Sequence, residues 1–581
     1  MQFGSTRFPI EAPHFVMAVW TQLERDYPDQ LYGGGLDVIT TVDLNWQRAA
    51  EEIVNLQLDY LNYPPNNEGI PANANNAAVV AIDPYTGEVL TMLGSPDYFD
   101  ETIDGAVNVA LAPRQPGSTL KPFTYALGMN PNRDNPFTAA TVFLDVETPF
   151  VTQRLESYTP SNFGQVEHGP VSIREALGSS YNIAAVLALD EIGITPFLGF
   201  MDDVGLDTLA TNPYVDLAIT LGGGEVRLLD LAQAYSIFPN GGYRIEPTFI
   251  REVATREGDI LYQFESQRLE NRVLDERIAW LITDILSDNE ARIPSFGINS
   301  ALQIGRPSAA KTGTTTDFRD NWVMGYTPNL VVGVWVGNAD NTPMVEVTGV
   351  SGAGPIYNQF IRRVTANFPE YEFQQPEGLI RLEVCALSGL LPTDNCPLRR
   401  VEWFIPGTEP TKFDNYYQTF AIDRNTGLLA DESTPQANII LETVVVLPQE
   451  ARDWAIRTGL RLPPSGALID VSDDDVGVRL LEPDPYTVFE LSPVLPRENQ
   501  RLRLTVATPQ NTESVIYTLN GDVIGTADRS PWVVWWMLEV GEHELIAEST
   551  LSDGTIERSE PILFRVDDYT PPEAQTILPG Q

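Results

Sequence analysis

The spacing of apolar residues changes along the chain and predicts where strands give way to helices. Residues 75–95 hold two apolar runs around the turn sequence DPYTG, a pattern that predicts a β-hairpin. Helical spacing dominates from about residue 118 to 290, in VSIREAL, NIAAVLALDEIGI, EVRLLDLAQAYSIF and DERIAWLITDILSD. Strands return in SAAKTGTTT, DNWVMGYT and LVVGVWVGN, and PIYNQFIRRV predicts a closing helix. This order predicts the α+β class, an antiparallel sheet with a helical lobe.

The same patterns predict how the chain divides into domains. The early chain has a strand pattern that turns to helical spacing at Leu44. The late chain becomes all-β, and its Asn-Gly and Asp-Gly turns at 520–521 and 553–554 are typical of hairpins in a small β-sandwich. We therefore expect a lead-in at 1–74, the main α+β domain at 75–375, a Pro-rich connecting segment at 376–464 that is irregular to about residue 440, a β-sandwich at 465–568 and a disordered tail at 569–581.

Composition restricts the possible partners. The 581 residues carry a formal net charge of −44, which argues against nucleic acid and anionic lipid, because both require a basic surface. The sequence contains no run of about 18 apolar residues, the length that would predict a membrane-spanning helix. The first residues, MQFGSTRFPIEAPHF, lack the basic and apolar regions of a signal peptide. The sequence is expected to be a piece whose targeting segment lies upstream, although the start taken alone would indicate a cytosolic protein.

Lysine is rare in this chain, and its positions point to chemistry. Of the 36 lysines and arginines only three are lysine: Lys121, Lys311 and Lys412. Lys121 follows Ser118 by three residues, so the two side chains share one face of a helix. A buried lysine can lose its proton and act as a base, whereas arginine cannot. The pair therefore predicts a serine nucleophile with a lysine base, against the alternative of a helix-capping serine beside an exposed lysine.

Two further short motifs favour the chemical interpretation. Ser180 and Asn182 lie between two helical segments, and Lys311-Thr312-Gly313-Thr314 lies on a predicted strand. Taken singly, Ser180 could cap a helix and Lys311 could be a solvated strand residue. The order Ser-x-x-Lys, Ser-x-Asn, Lys-Thr-Gly is specific, because it is the motif set of penicillin-binding proteins and class A β-lactamases.

The resemblance extends beyond the motifs. AVNVALAPRQPGSTLKPFTYAL, VSIREALGSSYNIAAV, LGGGEVRLLDLAQAYSIFPNGG and KTGTTTDFRDNWVMGYTPNLVVGVWVGN resemble the transpeptidase domain of class A, high-molecular-weight penicillin-binding proteins. The lead-in is similar to the linker after their glycosyltransferase domain, and CALSGLLPTDNCP with the terminal β domain resembles the tail of the penicillin-binding protein 1C group. The glycosyltransferase domain and membrane anchor of such proteins are missing, so we expect the C-terminal part of a longer, extracytoplasmic protein.

The resemblance implies a role for each motif residue. Ser118 attacks the D-Ala-D-Ala carbonyl of a peptidoglycan stem peptide, and Lys121 is the base. Ser180, with Asn182 and Lys311, relays a proton to the leaving D-alanine. The N–H groups of Ser118 and Thr314 form the oxyanion hole, and the Thr312 and Thr314 hydroxyls beside Lys311, with Gly313 between them, bind the terminal carboxylate. An amine of a second stem peptide then takes the acyl group, β-lactams acylate the same serine, and no metal or organic cofactor is needed.

Two features remain open on sequence alone. Cys385 and Cys396, the only cysteines, fit one disulfide in an oxidising compartment, with free thiols as the alternative and metal binding disfavoured. The tryptophans Trp532, Trp535 and Trp536 could form a binding face, although such a cluster more often belongs partly to a core.

Transpeptidation competes with two other functions. In a D,D-carboxypeptidase or β-lactam hydrolase, water takes the acyl group instead of an amine. A catalytically silent β-lactam receptor or scaffold is the alternative of another class, and the intact lysine motifs argue against it.

Overall fold

The computed structural model describes residues 10–63, 70–151, 157–211, 215–265, 270–431, 433–460, 463, 478–483, 488–491, 497, 500–509, 512–529 and 532–567. The chain divides into two units, Met1–Leu468 and Ile469–Gln581. The predicted disordered tail at 569–581 lies outside the described residues.

Among the described residues, the α-helices all belong to the first unit. They are α1 (Pro13–Asp26), α2 (Pro28–Gly33), α3 (Leu44–Asn62), α4 (Lys121–Gly128), α5 (Ile173–Gly178), α6 (Asn182–Ile192), α7 (Ile194–Asp203), α8 (Leu228–Tyr235), α9 (Glu276–Ser287), α10 (Asn289–Phe296), α11 (Ala353–Val364) and α12 (Arg452–Arg457).

The strands of this unit are β1 (Leu36–Thr40), β2 (Asn76–Ile82), β3 (Val89–Leu93), β4 (Val142–Asp145), β5 (Phe150–Val151), β6 (Ser157–Tyr158), β7 (Gly169–Ser172), β8 (Ile250–Thr255), β9 (Ile260–Gln263), β10 (Ala309–Thr314), β11 (Asp320–Thr327), β12 (Leu330–Gly337), β13 (Ile380–Cys385), β14 (Arg399–Phe404), β15 (Tyr417–Asp423) and β16 (Ile439–Val445). Five of them form the central antiparallel sheet in the order β10-β11-β12-β2-β3. The predicted hairpin at 75–95 is confirmed as β2 and β3.

The central sheet is covered on both faces, which is why its inner strands are continuously apolar. In β2, Ala78, Val80 and Ile82 join one hydrophobic cluster, whereas the alternate residues Ala77 and Val79 join another. On one face α11 packs against β11 and β12, and α8 packs against β12 and β2 on the other. The edge strand β10 carries the Lys-Thr-Gly motif and also contacts α9. The α+β prediction is therefore confirmed.

Residues of the predicted lead-in pack within this unit. Strand β1 pairs antiparallel with β8, so residues 36–40 belong to a sheet that is completed 210 residues later by β8 and β9. Helix α3 begins at Leu44, as predicted, after Asp43 caps it through the backbone N–H groups of Asn45 and Trp46. It packs against α11 and β3.

The expectation of irregular structure in the Pro-rich segment was wrong. Residues 376–464 contain two antiparallel hairpins, β13 with β14 and β15 with β16, followed by α12. Both hairpins have long connections rich in proline, glycine and asparagine, and most of their strand residues are only partly buried. The apolar alternation of these strands is therefore weak, and turn residues dominated the sequence pattern.

The second unit is β-rich, as predicted. Its strands are β17 (Arg479–Glu482), β18 (Val488–Glu490), β19 (Arg501–Ala507), β20 (Thr512–Leu519), β21 (Asp522–Ala527), β22 (Val533–Met537), β23 (Gly541–Leu551), β24 (Ile556–Arg558) and β25 (Ile562–Asp567). One sheet has the order β17-β19-β22, and the other has the order β18-β25-β23-β20-β21 with β24 paired to β23. The hairpins predicted at the Asn-Gly and Asp-Gly turns are confirmed. Trp536 lies in the core of this unit, whereas Trp535 is 59% exposed.

Candidate active site

Ser118 lies in a short 3₁₀ turn, Gly117–Leu120, that leads directly into α4. Gly117 has φ 57°, a conformation that favours glycine, and a Cβ there would lie 2.9 Å from the Thr314 nitrogen. The backbone N–H of Lys121 donates to the Ser118 carbonyl, so the two residues are one turn apart. The serine therefore stands where a helix begins, half-buried and close to the end of β10.

Close backbone contacts fix β10 beside the serine turn. A Cβ on Gly313 would lie 2.4 Å from the Pro116 carbonyl oxygen, so only glycine permits this approach. The Trp322 indole on neighbouring β11 donates to the Gln115 carbonyl at 2.7 Å. Because β10 is an edge strand, one row of its backbone groups is free of β11. The contact with Gly117 places the Thr314 nitrogen and oxygen on the side of the serine turn.

Lys121 is fully buried and its amino group faces the Ser180 turn. Nζ donates to the Ser180 carbonyl at 2.7 Å, the Tyr181 carbonyl at 3.0 Å and the Asn182 Oδ1 at 2.7 Å. Among the hydrogen bonds of the described residues, none joins Lys121 Nζ to the Ser118 hydroxyl. The lysine is thus held by the second motif, one helical turn from the first.

Ser180 links the two motif lysines. It lies between α5 and α6 with φ 64°, a left-handed conformation that is uncommon for serine. Its Oγ accepts a hydrogen bond from Lys311 Nζ at 2.6 Å and lies 3.5 Å from Lys121 Nζ. Lys311 also donates to the Thr312 carbonyl at 2.9 Å. Hydroxyl and amino groups therefore form a continuous chain from β10 to α4.

Burial disfavours the charged form of both lysines. It lowers the pKa of Lys121 well below the ordinary value, and the nearby charge of Lys311 lowers that pKa further, while Asp145 opposes the shift. Burial together with the charge of Arg292 lowers the pKa of Lys311 to about 7. Arg292 lies beside β10, buried, with its guanidinium on the Leu286 and Ala310 carbonyls. Lys311 can therefore exchange a proton near neutral pH, and the neutral form of Lys121 is favoured relative to that of an exposed lysine.

The threonines of the third motif differ in their partners. The Thr314 hydroxyl accepts a hydrogen bond from the Gly349 N–H at 2.9 Å and can still donate to a ligand. Among the described residues, none forms a hydrogen bond with the Thr312 hydroxyl. Both hydroxyls are thus available as donors to an anion beside Lys311.

The structure brings Ser118, Lys121, Ser180, Asn182 and Lys311 together at one place, with Thr312, Gly313 and Thr314 on the adjoining strand. Their catalytic roles stay predictions. Sequence reasoning missed a second group behind this site, Asp145, Asn162 and His168, because these residues belong to no motif. Only the contact of His168 with Asp145 reveals this group: Nδ1 lies 2.6 Å from Oδ2.

The two cysteines are joined. Cys385 ends β13 and bonds to Cys396, with their Cα atoms 5.9 Å apart. Among the described residues, no group of three or more His, Cys, Asp or Glu side chains is arranged to hold a metal ion. In the same part of the chain no single helix is long and apolar enough to cross a membrane, although α6 and α7, bent by 94°, together pass that test of length and composition.

Comparison with known proteins finds relatives in one family. The family model of the penicillin binding protein transpeptidase domain matches residues 77–362, and that of the penicillin-binding protein 1A C-terminal domain matches residues 375–419. The chain is 31% identical over 412 residues to penicillin-binding protein 2D of Bacillus subtilis, an alignment of 69% of this chain and 56% of the relative. It is 30% identical over 446 residues to penicillin-binding protein 1C of Escherichia coli, covering 74% and 53%.

Solved structures share the fold. Penicillin-binding protein 1A from Haemophilus influenzae superposes with a TM-score of 0.60 at 22% identity, covering 71% of this chain and 78% of that chain. PonA1 from Mycobacterium tuberculosis gives 0.52 at 23% identity, covering 63% and 95%.

Residues 77–362 are thus a penicillin-binding transpeptidase domain. The chain belongs to the class A penicillin-binding proteins, of which it carries the transpeptidase portion and the C-terminal domain. It spans about half the length of the curated relatives that it matches.

Proposed function

We propose that this chain is a serine D,D-transpeptidase that cross-links peptidoglycan stem peptides through an acyl-enzyme and is acylated by β-lactams. The observation that carries the proposal is the hydrogen-bonded group of Lys311, Ser180 and Lys121 next to Ser118. Membership of the penicillin-binding family supports the reaction class, and a solved relative, PonA1, is described in complex with penicillin V.

Acylation begins when Lys121, as the neutral amine, takes the proton of the Ser118 hydroxyl. In its ammonium form the three short contacts to Ser180, Tyr181 and Asn182 use all three N–H groups. Loss of one proton frees a lone pair that can turn toward Ser118. Burial and the charge of Lys311 lower the pKa of Lys121, and this favours the neutral amine.

Ser118 Oγ then attacks the carbonyl carbon of the penultimate D-alanine, and the C–N bond to the terminal D-alanine breaks. The backbone N–H groups of Ser118 and Thr314 stabilise the oxyanion. The Ser180 hydroxyl delivers a proton to the leaving nitrogen and is reprotonated through the lysines that flank it. Lys311 and the hydroxyls of Thr312 and Thr314 bind the terminal carboxylate. An amine of a second stem peptide next attacks the ester, so that an amide C–N bond forms and the C–Oγ bond to Ser118 breaks. The proton that the amine loses passes through Lys121 to Oγ and restores the Ser118 hydroxyl.

The disulfide supports an extracytoplasmic location, since such bonds persist in oxidising compartments. We propose that the chain lies outside the cytoplasmic membrane and faces the cell wall. Its full-length form is proposed to be anchored in that membrane.

Penicillin labelling followed by peptide mapping tests the proposal. The adduct should lie on Ser118, Ser118→Ala should abolish it, and Ser287→Ala, which removes a partly buried hydroxyl bound to the Asp284 carbonyl, should not. With donor and acceptor stem peptides, cross-linked dimer is expected. Free tetrapeptide as the sole product would establish a carboxypeptidase, and labelling without turnover of either kind would establish a silent receptor.

A further inference from the structure

A buried carboxylate lies behind the Ser180 turn. Asp145 ends β4 and is fully buried. Its Oδ2 accepts hydrogen bonds from Asn162 Nδ2 at 2.6 Å and from the His168 backbone N–H at 3.2 Å. His168 Nδ1 lies 2.6 Å from the same oxygen, and because a carboxylate only accepts, the imidazole donates. Oδ1 has no hydrogen-bond partner among the described residues. Such a group is costly to bury unless nearby cations compensate its charge.

The residues that bind this carboxylate also hold the turn that carries Ser180. Helix α6 begins after Tyr181, which supplies no side-chain cap. Instead Asn162 Oδ1 accepts from the backbone N–H groups of Asn182 at 2.6 Å and Ile183 at 3.3 Å. The His168 ring stacks on the Tyr181 ring, with centroids 3.7 Å apart and an interplanar angle of 13°. Asn162 thus fixes the start of α6, and His168 fixes the residue between Ser180 and Asn182.

We propose that Asp145, Asn162 and His168 are positioning residues that hold the Ser180–Asn182 turn in the geometry that Lys121 requires. The proposal rests on the proposed acylation at Ser118, because its consequence is the placement of the base. The turn supplies all three short acceptors of Lys121 Nζ. A small displacement of its carbonyl groups would therefore rotate or release the amine.

The charge of Asp145 acts on the same lysine. It raises the pKa of Lys121 against the effect of burial and the charge of Lys311. The groups that face Asp145 are Lys121 and Tyr125 from α4, His168 from the loop before β7, and Tyr181 at the start of α6. Asp145 also raises the pKa values of Tyr125 and Tyr181, and Lys121 is the proposed base among these groups, so its protonation is the one that bears on acylation.

Helix α12, near the end of the connecting segment 376–464, packs against the loop that carries His168. On α12, Trp454 Nε1 donates to the Glu167 carbonyl at 3.2 Å, and Arg457 pairs with the Glu167 carboxylate. Gly169 has φ 71°, and a Cβ there would lie 2.5 Å from the Trp454 ring. The loop is therefore clamped from outside at the residues before and after His168.

Four variants test the positioning role. Asn162→Ala removes the acceptor of the Asn182 and Ile183 amides. His168→Phe keeps a flat ring on Tyr181 but loses Nδ1, and His168→Ala loses both. The control is His543→Phe in the second unit, a buried histidine that also has hydrogen bonds and aromatic neighbours.

Amide hydrogen exchange of the peptide that contains Asn182 and Ile183 gives a readout independent of catalysis. Exchange should accelerate at least tenfold in Asn162→Ala and in His168→Ala, under conditions where both remain folded. Penicillin acylation should fall about tenfold or more in both, with His168→Phe in between. Unchanged exchange together with acylation within about twofold of the parent would overturn the positioning role. Failure of the parent to acylate would refute the proposed function instead, and the exchange data would still decide the positioning.

The fourth variant, Asp145→Asn, tests whether Asp145 acts on Lys121 through its negative charge or has only a structural role. Asparagine keeps an oxygen acceptor and removes the negative charge that raises the pKa of Lys121. The acid limb of the pH profile of the acylation rate constant should therefore lie at lower pH than in the parent. A uniform loss of rate with an unmoved acid limb would contradict the electrostatic part of the proposal.

Discussion

Lys311 and Ser180 are joined by a hydrogen bond of 2.6 Å, although 131 residues separate them in the chain. The Ser180 hydroxyl lies 3.5 Å from the second motif lysine, Lys121. One hydroxyl thus stands between two amines whose pKa values burial lowers. Such an arrangement can pass a proton between the two amines, and the first predictions concern Lys311.

The charge of Lys311 should control recognition of the substrate carboxylate. Because its pKa is lowered to about 7, the ammonium is lost progressively as the pH rises above that value. The preference for penicillin over its methyl ester, measured as the ratio of acylation rate constants, should therefore fall between about pH 6 and pH 8.5. Lys311→Arg should keep the preference throughout this range, and Lys311→Met should lack it. A preference that is independent of pH in the parent would contradict this role.

Burial of Lys311 should also make stability depend on pH. Its pKa is about 7 in the folded chain against 10.5 as the ordinary value. Between these values unfolding takes up a proton, so the free energy of unfolding rises with pH, by up to about 1.4 kcal/mol per pH unit for one proton. Below about pH 7 both states are protonated and the cost of the buried charge is fully present.

The Lys311→Met variant lacks this titrating group, so comparison with the parent isolates the contribution of Lys311 to the pH dependence of stability. The free energy of unfolding from urea titrations should exceed that of the parent most at or below pH 7, and the difference should shrink toward pH 10. A difference that stays constant from pH 7 to pH 10 would mean that Lys311 is not a destabilising buried cation.

Helix α12 should affect the acylation rate through its contacts with the Glu167–Gly169 loop. A chain ending at residue 460 retains α12, whereas one ending at 447 keeps β16 but loses Trp454 and Arg457, and with them the contacts to the Glu167–Gly169 loop. The shorter chain should acylate at least several-fold more slowly than the longer one. Trp454→Ala in the whole chain should reproduce most of that loss, while Trp535→Ala, an exposed tryptophan of the second unit, should not. Equal rates for the two truncated chains would show that α12 has no part in positioning.

The central strands and helices could be predicted from the sequence because local pattern determines them. The continuous apolar runs of β2 and β12 and the helical periodicity of α9 are strong local signals, and the Ser118 and Lys311 motifs have fixed spacing. The pairing of β1 with β8 could not be predicted, since no local pattern specifies which distant strand a short one will join.

The second group behind the site escaped prediction for a related reason. Asp145, Asn162 and His168 come from three separate segments, and only the packing of β4, β7 and α6 places them together. The hairpins of 376–464 were missed because proline and glycine in their turns outweighed a weak strand alternation. The exposure of Trp535 and burial of Trp536 follow from the alternation of β22, which the sequence pattern had left ambiguous.

The Cys385–Cys396 bond should stabilise the hairpin of β13 and β14. It closes a loop with a sequence separation of 11 residues, for which the chain-entropy model gives about 3 kcal/mol. Protein made under oxidising conditions should show no thiol that reacts with a thiol reagent until it is denatured and reduced. Cys385→Ser with Cys396→Ser should lower the free energy of unfolding by roughly that amount. Two reactive thiols in native oxidised protein would contradict both the bond and the compartment proposed from it.

The central claim is that Lys121 acts as the base for Ser118, and replacing it by arginine tests this most directly. Arginine keeps the positive charge and can donate to the acceptors on the Ser180 turn, but it cannot release a proton near neutral pH. The measurement is the rate constant of penicillin acylation at Ser118 for Lys121→Arg, with folding checked by thermal melting and with Lys311→Arg as the matched variant. We predict a fall of ~10²–10⁴ for Lys121→Arg, as is typical when general-base help is lost, and a milder effect for Lys311→Arg. A Lys121→Arg enzyme that acylates within a few-fold of the parent rate would contradict the mechanism.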